Sequence, residues 1–150
     1  MTTHPTPADL AAIHQTLALF AHVFDNRDVD GLGLVFTDDV VVESGPGPNR
    51  TYRGIAEFAA YARGLSDAAP DHHTLNTAVA VDGQGRVQTR SRYIGVKPDG
   101  RLTSGEFLDI FERTPEGWRI RYRRSIQRTP RPEGQVAFTV DFPLTKELDG

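Results

Sequence analysis

The sequence of 150 residues contains no cysteine, and methionine and tryptophan occur once each. Without cysteine, the chain has no disulfide, no thiolate metal ligand and no cysteine nucleophile. The formal net charge is only -3, so no global positive field exists to hold nucleic acid or an anionic membrane. Apolar runs stay far below the roughly 18 residues of a membrane-spanning helix, and the first residues lack the features of a signal peptide. We therefore expect a cytoplasmic protein without nucleic-acid or membrane partners.

Several motifs that carry chemistry are also missing. The sequence has no phosphate-binding glycine-rich loop, no dinucleotide fingerprint, no histidine pair at helical metal-binding spacing and no nucleophile elbow. Any catalysis is therefore expected to be acid–base chemistry by side chains. We expect neither a cofactor nor a bound metal.

Apolar residues make up 38% of the chain and charged residues 25%, which is typical of one globular domain. A chain of this length buries roughly 70% of its unfolded surface, enough for a core and a small-molecule cavity. Up to about residue 70 the apolar spacing is helical and predicts helices over 7–25 and 55–66. Between them, the sequence predicts a short helix capped by Asp28 and a short strand over 40–42.

From His72 onward the period of the apolar residues changes to two. Glycine-containing turns at 82–85, 97–100 and 114–117 divide this part into four strands, the pattern of an antiparallel meander. In the last strand, one alternating set is mainly apolar and is predicted to face the core: Trp118, Ile120, Tyr122, Arg124 and Ile126. The other set is predicted to face solvent: Arg119, Arg121, Arg123, Ser125 and Gln127.

Helices at the front of the chain and an antiparallel sheet at the back predict an α+β fold. A cone-shaped curved sheet would wrap around the N-terminal helices, and the interior of such a cone is a natural pocket. We predict one domain over residues 1–128 and a C-terminal extension over 129–150. Val136, Phe138, Val140 and Phe142 alternate like a strand, so the extension is expected to add an edge strand, cover the pocket mouth or pack on a partner subunit.

Four segments of the sequence are similar to SnoaL-like domains of the nuclear-transport-factor-2-like superfamily. They are the run over 19–30 with its continuation at 34–40, the Tyr52-Arg53-Gly54 start of the third helix, the strand that opens with 72–76 and the strand that opens with 117–120. The resemblance covers about residues 8–128 and implies the cone fold and a homodimer or other homo-oligomer. The superfamily contains dehydratases, isomerases, polyketide cyclases, hydrolases and binding modules, so the resemblance alone does not choose a function.

An acid and two histidines are the main candidates for catalysis. Asp25 ends the first predicted helix, where its charge meets the negative end of the helix dipole, so it is either an exposed turn residue or half of a catalytic pair. His72 and His73 are strand neighbours, and only one of them faces inward. Alternation counted from Val81 favours His73, whereas the resemblance favours His72, and a bulge would reconcile the two. The resemblance is closest to the scytalone-dehydratase-like branch and implies that Asp25 and His72 belong to the active site.

Further candidates for substrate binding lie on the last three strands. Asp109 stands between two aromatic residues, and a buried carboxylate needs a cationic partner. Arg124 on the adjacent strand is the predicted partner, in a pair that either fixes the sheet or orients substrate. Ser91 and Tyr93 share a predicted inward face. Tyr93 is either a core residue or a phenol donor, and it would replace the tyrosine that many relatives carry where Phe107 stands.

From these residues we predict an enzyme that moves protons on a hydrophobic, oxygenated small molecule. Elimination of water is the specific hypothesis, with Asp25 holding His72 as general base and then acid. Arg124, Tyr93 or Ser91 would hydrogen-bond the carbonyl oxygen as it gains charge. One alternative is a polyketide cyclase or a ketosteroid-isomerase-like isomerase. Another is a domain that binds a ligand or associates with other subunits without catalysis.

Overall fold

The computed structural model describes residues 4–44, 50–131, 133 and 140–148. This part of the chain forms two α-helices, a short 3₁₀ helix and six strands. In chain order they are α1 (Pro7–Phe24), the 3₁₀ helix (Val29–Leu34), β1 (Phe36–Ser44), β2 (Arg50–Arg53), α2 (Ile55–Arg63), β3 (Asp71–Val81), β4 (Val87–Val96), β5 (Leu102–Thr114) and β6 (Gly117–Thr129). None of the helices described here is long and apolar enough to cross a bilayer.

The predicted elements are confirmed, with differences around β1. The strand predicted over 40–42 is the middle of a longer strand, and its second half pairs with β2, which the sequence pattern did not reveal. β2 has only four residues, three of them exposed. Such a segment is too short for an alternating pattern to be recognised.

Helix α1 is fixed at both ends. At its start, the Thr6 hydroxyl accepts from the Asp9 N–H at 3.2 Å, and the Asp9 carboxylate accepts from the Thr6 N–H at 2.8 Å. The same carboxylate accepts from the indole N–H of Trp118 at 3.0 Å, which ties the helix start to β6. At its end, the N–H of Asp25 donates to the carbonyl of Ala21 at 3.0 Å. The helix therefore delivers Asp25 to a defined position.

The six strands form one curved sheet in the order β2-β1-β6-β5-β4-β3. Strands β3 to β6 are the predicted antiparallel meander. Strand β1, however, lies parallel to β6, so the sheet is mixed and not antiparallel throughout. This pairing places β1 between β2 and β6 and brings the first half of the chain into the sheet.

The main core lies between the helices and the inner face of the sheet. α1 contributes buried residues at helical spacing, as predicted: Ile13, Leu17, Phe20, Val23 and Phe24. The strands contribute Phe36, Val40, Val42, Val87, Tyr93, Phe107, Phe111 and Ile120. Each large apolar side chain buried in this way contributes about 1.5–3 kcal/mol. The packing is incomplete at one end, where a cavity opens between the helices and the strands.

The segment over 140–148 packs on the outer face of the sheet. Leu144 joins a second buried cluster with Leu108, Ile110 and Tyr122. The fully buried side chain of Gln88 holds the segment by its backbone: its Oε1 accepts from the Leu144 N–H at 2.8 Å, and its Nε2 donates to the Leu144 carbonyl at 2.9 Å. The described part of the C-terminal extension therefore packs on its own domain.

An edge strand, one of the alternatives expected for the extension, is not formed in the part that can be checked. Val140 and Phe142 lie in a segment without strand pairing and pack against the outer-face cluster. Val136 and Phe138 lie outside the described residues. Val140 and Phe142 thus show that residues two apart can make apolar contacts on a sheet surface with irregular backbone.

Replacing Leu144 with alanine is expected to lower the free energy of unfolding by about 2–3 kcal/mol, because the side chain is only 9% exposed. Urea unfolding measures this loss. Leu102→Ala is the matched control: that side chain is 61% exposed, and its loss is expected to change stability by no more than about 0.5 kcal/mol. Equal effects of the two substitutions would contradict the docking of this segment on the sheet.

Candidate active site

The end of α1 and the start of β3 bring Asp25 and His72 into direct contact. The Asp25 Oδ1 lies 2.7 Å from the His72 Nδ1, and its Oδ2 accepts from the His72 backbone N–H at 2.5 Å. The carboxylate side chain is 7% exposed and the imidazole 16%. Both oxygens of Asp25 therefore serve to hold one residue, and the ring cannot rotate without losing a hydrogen bond.

A bulge in β3 decides which histidine faces inward. The pairing of β3 with β4 shifts between Leu75 and Ala78, and Asn76 has a positive φ of 55°. Asparagine adopts this left-handed conformation more readily than most residues. The extra residue reverses the alternation, so that His72 faces the interior and His73 is exposed. The candidate role of His73 is therefore not supported by its position, and the conflict in the sequence pattern is resolved in favour of His72.

The contact with Asp25 also assigns the role of each imidazole nitrogen. A carboxylate only accepts, so Nδ1 carries the hydrogen and donates it to Asp25. In the neutral ring, Nε2 then carries the lone pair, and no protein atom in the described ranges hydrogen-bonds to it. The ring lies among aromatic side chains, with ring-centroid distances of 5.5 Å to Tyr93, 5.9 Å to Phe20 and 6.1 Å to Phe107. This arrangement suits a general base that acts on a molecule in the cavity.

The cavity next to His72 has a volume of about 360 Å³. Most of its wall is apolar and aromatic, with contributions from α1, α2 and the inner face of the sheet: Phe20, Phe24, Val42, Phe58, Tyr61, Leu65, Tyr93 and Phe107. Polar side chains from β1, β6 and the cavity rim complete the wall: Ser44, Arg123, Ser125, Gln127, Thr103 and Lys97. An apolar cavity with a few convergent polar groups is typical of a small-molecule site.

A buried ion pair stands beside this cavity. The Nε and Nη2 of Arg123 donate to the two carboxylate oxygens of Asp109 at 2.7 and 2.8 Å. The side chains are 1% and 0% exposed. The prediction of a buried Asp109 with a cationic partner on the neighbouring strand is thus correct, but the prediction that Arg124 is the partner is wrong.

A second bulge explains the error. In β6, Arg121 is an extra residue opposite the step from Ile110 to Phe111 of β5. From there on the alternation is reversed, so Arg123 turns inward and Arg124 is exposed. The inner face predicted for β6 is therefore correct up to Ile120 and wrong beyond Arg121. Arg123, which was predicted to face solvent, is the functional candidate that sequence patterning missed.

One guanidinium nitrogen of Arg123, Nη1, donates no hydrogen bond to the described residues. The guanidinium carbon lies 4.4 Å from the ring centroid of Phe20 and 4.0 Å from that of Phe107, so the group is held between aromatic faces. Its Nη1 is buried and has no hydrogen-bond partner among the described residues. A buried donor without a partner is costly. Because Arg123 lines the cavity, an oxygen atom of a bound molecule would satisfy this donor.

The remaining predicted residues differ in their access to the cavity. Tyr93 and Phe107 line it, and their rings stack at 4.6 Å. Burial raises the pKa of the Tyr93 phenol, while a hydrogen bond with Ser125 acts in the opposite direction, so the phenol stays protonated at neutral pH. Ser91 is buried but hydrogen-bonds to the Thr77 hydroxyl at 2.8 Å and is not part of the cavity wall.

The described part of the chain contains no group of three or more histidine, aspartate or glutamate side chains placed to hold a metal ion. The groups that surround the cavity can donate hydrogen bonds, accept a proton and pack against an apolar body.

The fold and the site together define a class of protein: α+β domains whose curved sheet and N-terminal helices enclose a small-molecule cavity with a histidine–aspartate pair. A family model described as the SnoaL-like domain matches residues 6–124. The chain belongs to this family, as the sequence resemblance indicated. No curated protein matches the chain.

Solved structures share the fold at low sequence identity. A Nostoc punctiforme protein of unknown function with a cystatin-like fold is 18% identical, with a TM-score of 0.73 over 87% of this chain and 98% of that one. ActVI-ORFA from Streptomyces coelicolor is 19% identical, with a TM-score of 0.66 over 79% and 96%. A candidate scytalone dehydratase from Novosphingobium aromaticivorans is 16% identical, with a TM-score of 0.68 over 81% and 85%.

Proposed function

We propose that this protein is an acid–base enzyme that eliminates water from a hydrophobic hydroxyketone without a cofactor. The observation that carries the proposal is the pairing of His72 with Asp25 at the wall of an apolar cavity that also contains Arg123. A binding module needs a cavity but has no need of an oriented base and a buried, unpaired hydrogen-bond donor in the same cavity wall.

In the proposed reaction, Nε2 of His72 removes a proton from the carbon next to the carbonyl group of the substrate. The electron pair of that C–H bond forms a carbon–carbon double bond, and the carbonyl π electrons move to its oxygen. Nη1 of Arg123 donates a hydrogen bond to this enolate oxygen, and Asp25 stabilises the imidazolium.

The second step returns the proton. The enolate reforms the carbonyl, and its electrons form the new double bond as the hydroxyl group at the β-carbon leaves. The imidazolium of His72 donates its Nε2 proton to this group, which departs as water and leaves His72 neutral. One histidine thus serves as base and then acid, and the net reaction is the loss of one water molecule.

The magnitudes indicate that no single group suffices. General acid–base catalysis contributes roughly 10²–10⁴-fold, and one oxyanion donor about 10²–10³-fold. The protonated Tyr93 phenol is a second donor at the cavity wall. An isomerisation would use the same first step but return the proton to another carbon atom, so the same residues would serve it.

The bicyclic hydroxyketone 3-hydroxy-1-tetralone tests the proposal, because loss of water gives an enone that tautomerises to fluorescent 1-naphthol. We expect the wild-type protein to accelerate the appearance of 1-naphthol, and His72→Ala to abolish the acceleration. Calorimetry with the same compound reports whether it binds. Binding of the compound without acceleration of either elimination or isomerisation would contradict the proposed function.

A further inference from the structure

A lysine at the rim of the cavity has no part in the proposed reaction. Lys97 follows the last residue of β4 and lines the main cavity. It also lines a neighbouring cavity of about 300 Å³, which shares Phe24, Leu65, Ala69 and Pro70 with the main one. Lys97 therefore stands where the two cavities meet.

The charges around the main cavity are unbalanced. Its lining contains two cationic residues, Arg123 and Lys97, and no carboxylate among the described residues. Arg123 is neutralised by its bidentate contact with Asp109 behind the cavity wall. The ammonium group of Lys97 has no hydrogen bond or ion pair with a described side chain. Its charge also acts on the nearby Asp99, whose carboxylate is already engaged by Arg101 at 2.6 Å.

The neighbouring cavity does contain acids, and two of them have other partners. Asp25 is held by His72, and Asp67 pairs with Arg27 at 3.3 Å. Asp71 is exposed and lines only the neighbouring cavity. A lysine that lines a cavity without a carboxylate in the same wall favours an anionic ligand, because the attraction between the two charges offsets the cost of removing them from water.

We propose that Lys97 is a specificity residue and that the ligand of this cavity carries a carboxylate group that pairs with it. The body of the ligand packs on the aromatic wall, and its carboxylate lies at the rim. The inference rests on the proposed function for the identity of this cavity as the substrate site. It adds that the natural hydroxyketone substrate also carries a carboxylate group on its aromatic or alicyclic body.

Two probes of nearly the same shape, one anionic and one neutral, test this inference: 1-naphthaleneacetate and 1-naphthaleneacetamide, each titrated calorimetrically into the full chain. We expect the wild-type protein to bind the acid about twofold to fivefold more tightly than the amide, the range of one partly exposed ion pair. Lys97→Met is expected to remove this preference and leave the affinity for the amide unchanged. Lys97→Arg is expected to retain the preference.

A matched control comes from the same turn. Arg101 carries an equal charge, is 73% exposed and lines neither cavity, so Arg101→Met is expected to leave both affinities unchanged. The inference is overturned if Lys97→Met keeps the preference for the acid, if Arg101→Met loses it equally, or if the wild-type protein shows no preference. These outcomes are independent of the proposed reaction, which fails instead if turnover of 3-hydroxy-1-tetralone does not depend on His72.

Discussion

His72→Ala is expected to lower kcat by about a thousandfold or more, because the substitution removes the group that accepts the proton and later returns it. The fold should persist, since the imidazole is at the cavity wall and its loss leaves space that is already open to the cavity. Initial rates of 1-naphthol formation measure the loss. Ligand affinity measured by calorimetry should change far less than kcat.

Two further variants distinguish a catalytic role from a structural one. Asp25→Asn keeps the size of the side chain but removes the charge that stabilises the imidazolium, so kcat is expected to fall about 10²–10⁴-fold. His73→Ala changes the adjacent histidine, which is exposed on the other face of β3, and is expected to retain wild-type activity. Loss of activity in His73→Ala with retention in His72→Ala would reverse the assignment of the base.

The ion pair of Arg123 with Asp109 is expected to produce the largest effect on stability. Arg123→Met leaves the Asp109 carboxylate buried without its partner, and removal of one member of a buried pair costs about 3–5 kcal/mol. Urea unfolding measures this change. Activity per folded molecule is expected to fall about 10²–10³-fold, since the donor to the enolate oxygen is lost.

A double substitution separates the two roles of this pair. Asp109→Leu combined with Arg123→Met replaces both charges by apolar groups of similar size, which is often neutral for stability or even favourable. We expect the double variant to regain most of the lost free energy of unfolding while its activity remains low. Recovery of activity together with stability would mean that Arg123 acts only through the fold.

The fold was largely predictable from the sequence because its signals are local and repeated. The Thr6 cap, the helical spacing that ends near Phe24 and the glycine turns between strands each depend on a few neighbouring residues. The parallel pairing of β1 with β6 is different, because it joins segments about eighty positions apart and has no local signature. The docking of Leu144 on the outer face depends on such distant contacts as well.

The site was predictable only in part, and the reason is the pair of bulges. Alternation assigns faces correctly until an extra residue enters a strand, and every later residue is then reversed. In β3, alternation favoured the wrong histidine, but the resemblance to the family indicated His72, and Asn76 is a signal of the bulge. In β6 the extra residue, Arg121, is an ordinary strand residue, so the sequence offered no reason to prefer Arg123 over Arg124.

The role of His72 is tested most directly by the exchange of hydrogen between solvent and the carbon next to the carbonyl of 1-tetralone. This ketone has the acidic C–H group but no leaving group, so only the proton-removal step is observed. In D₂O, the wild-type protein is expected to replace the protons next to the carbonyl with deuterium, as seen by proton NMR. The His73→Ala variant should do the same. With His72→Ala, the exchange rate should equal the rate measured in buffer without protein. Exchange by His72→Ala at the wild-type rate would contradict the assignment of His72 as the base.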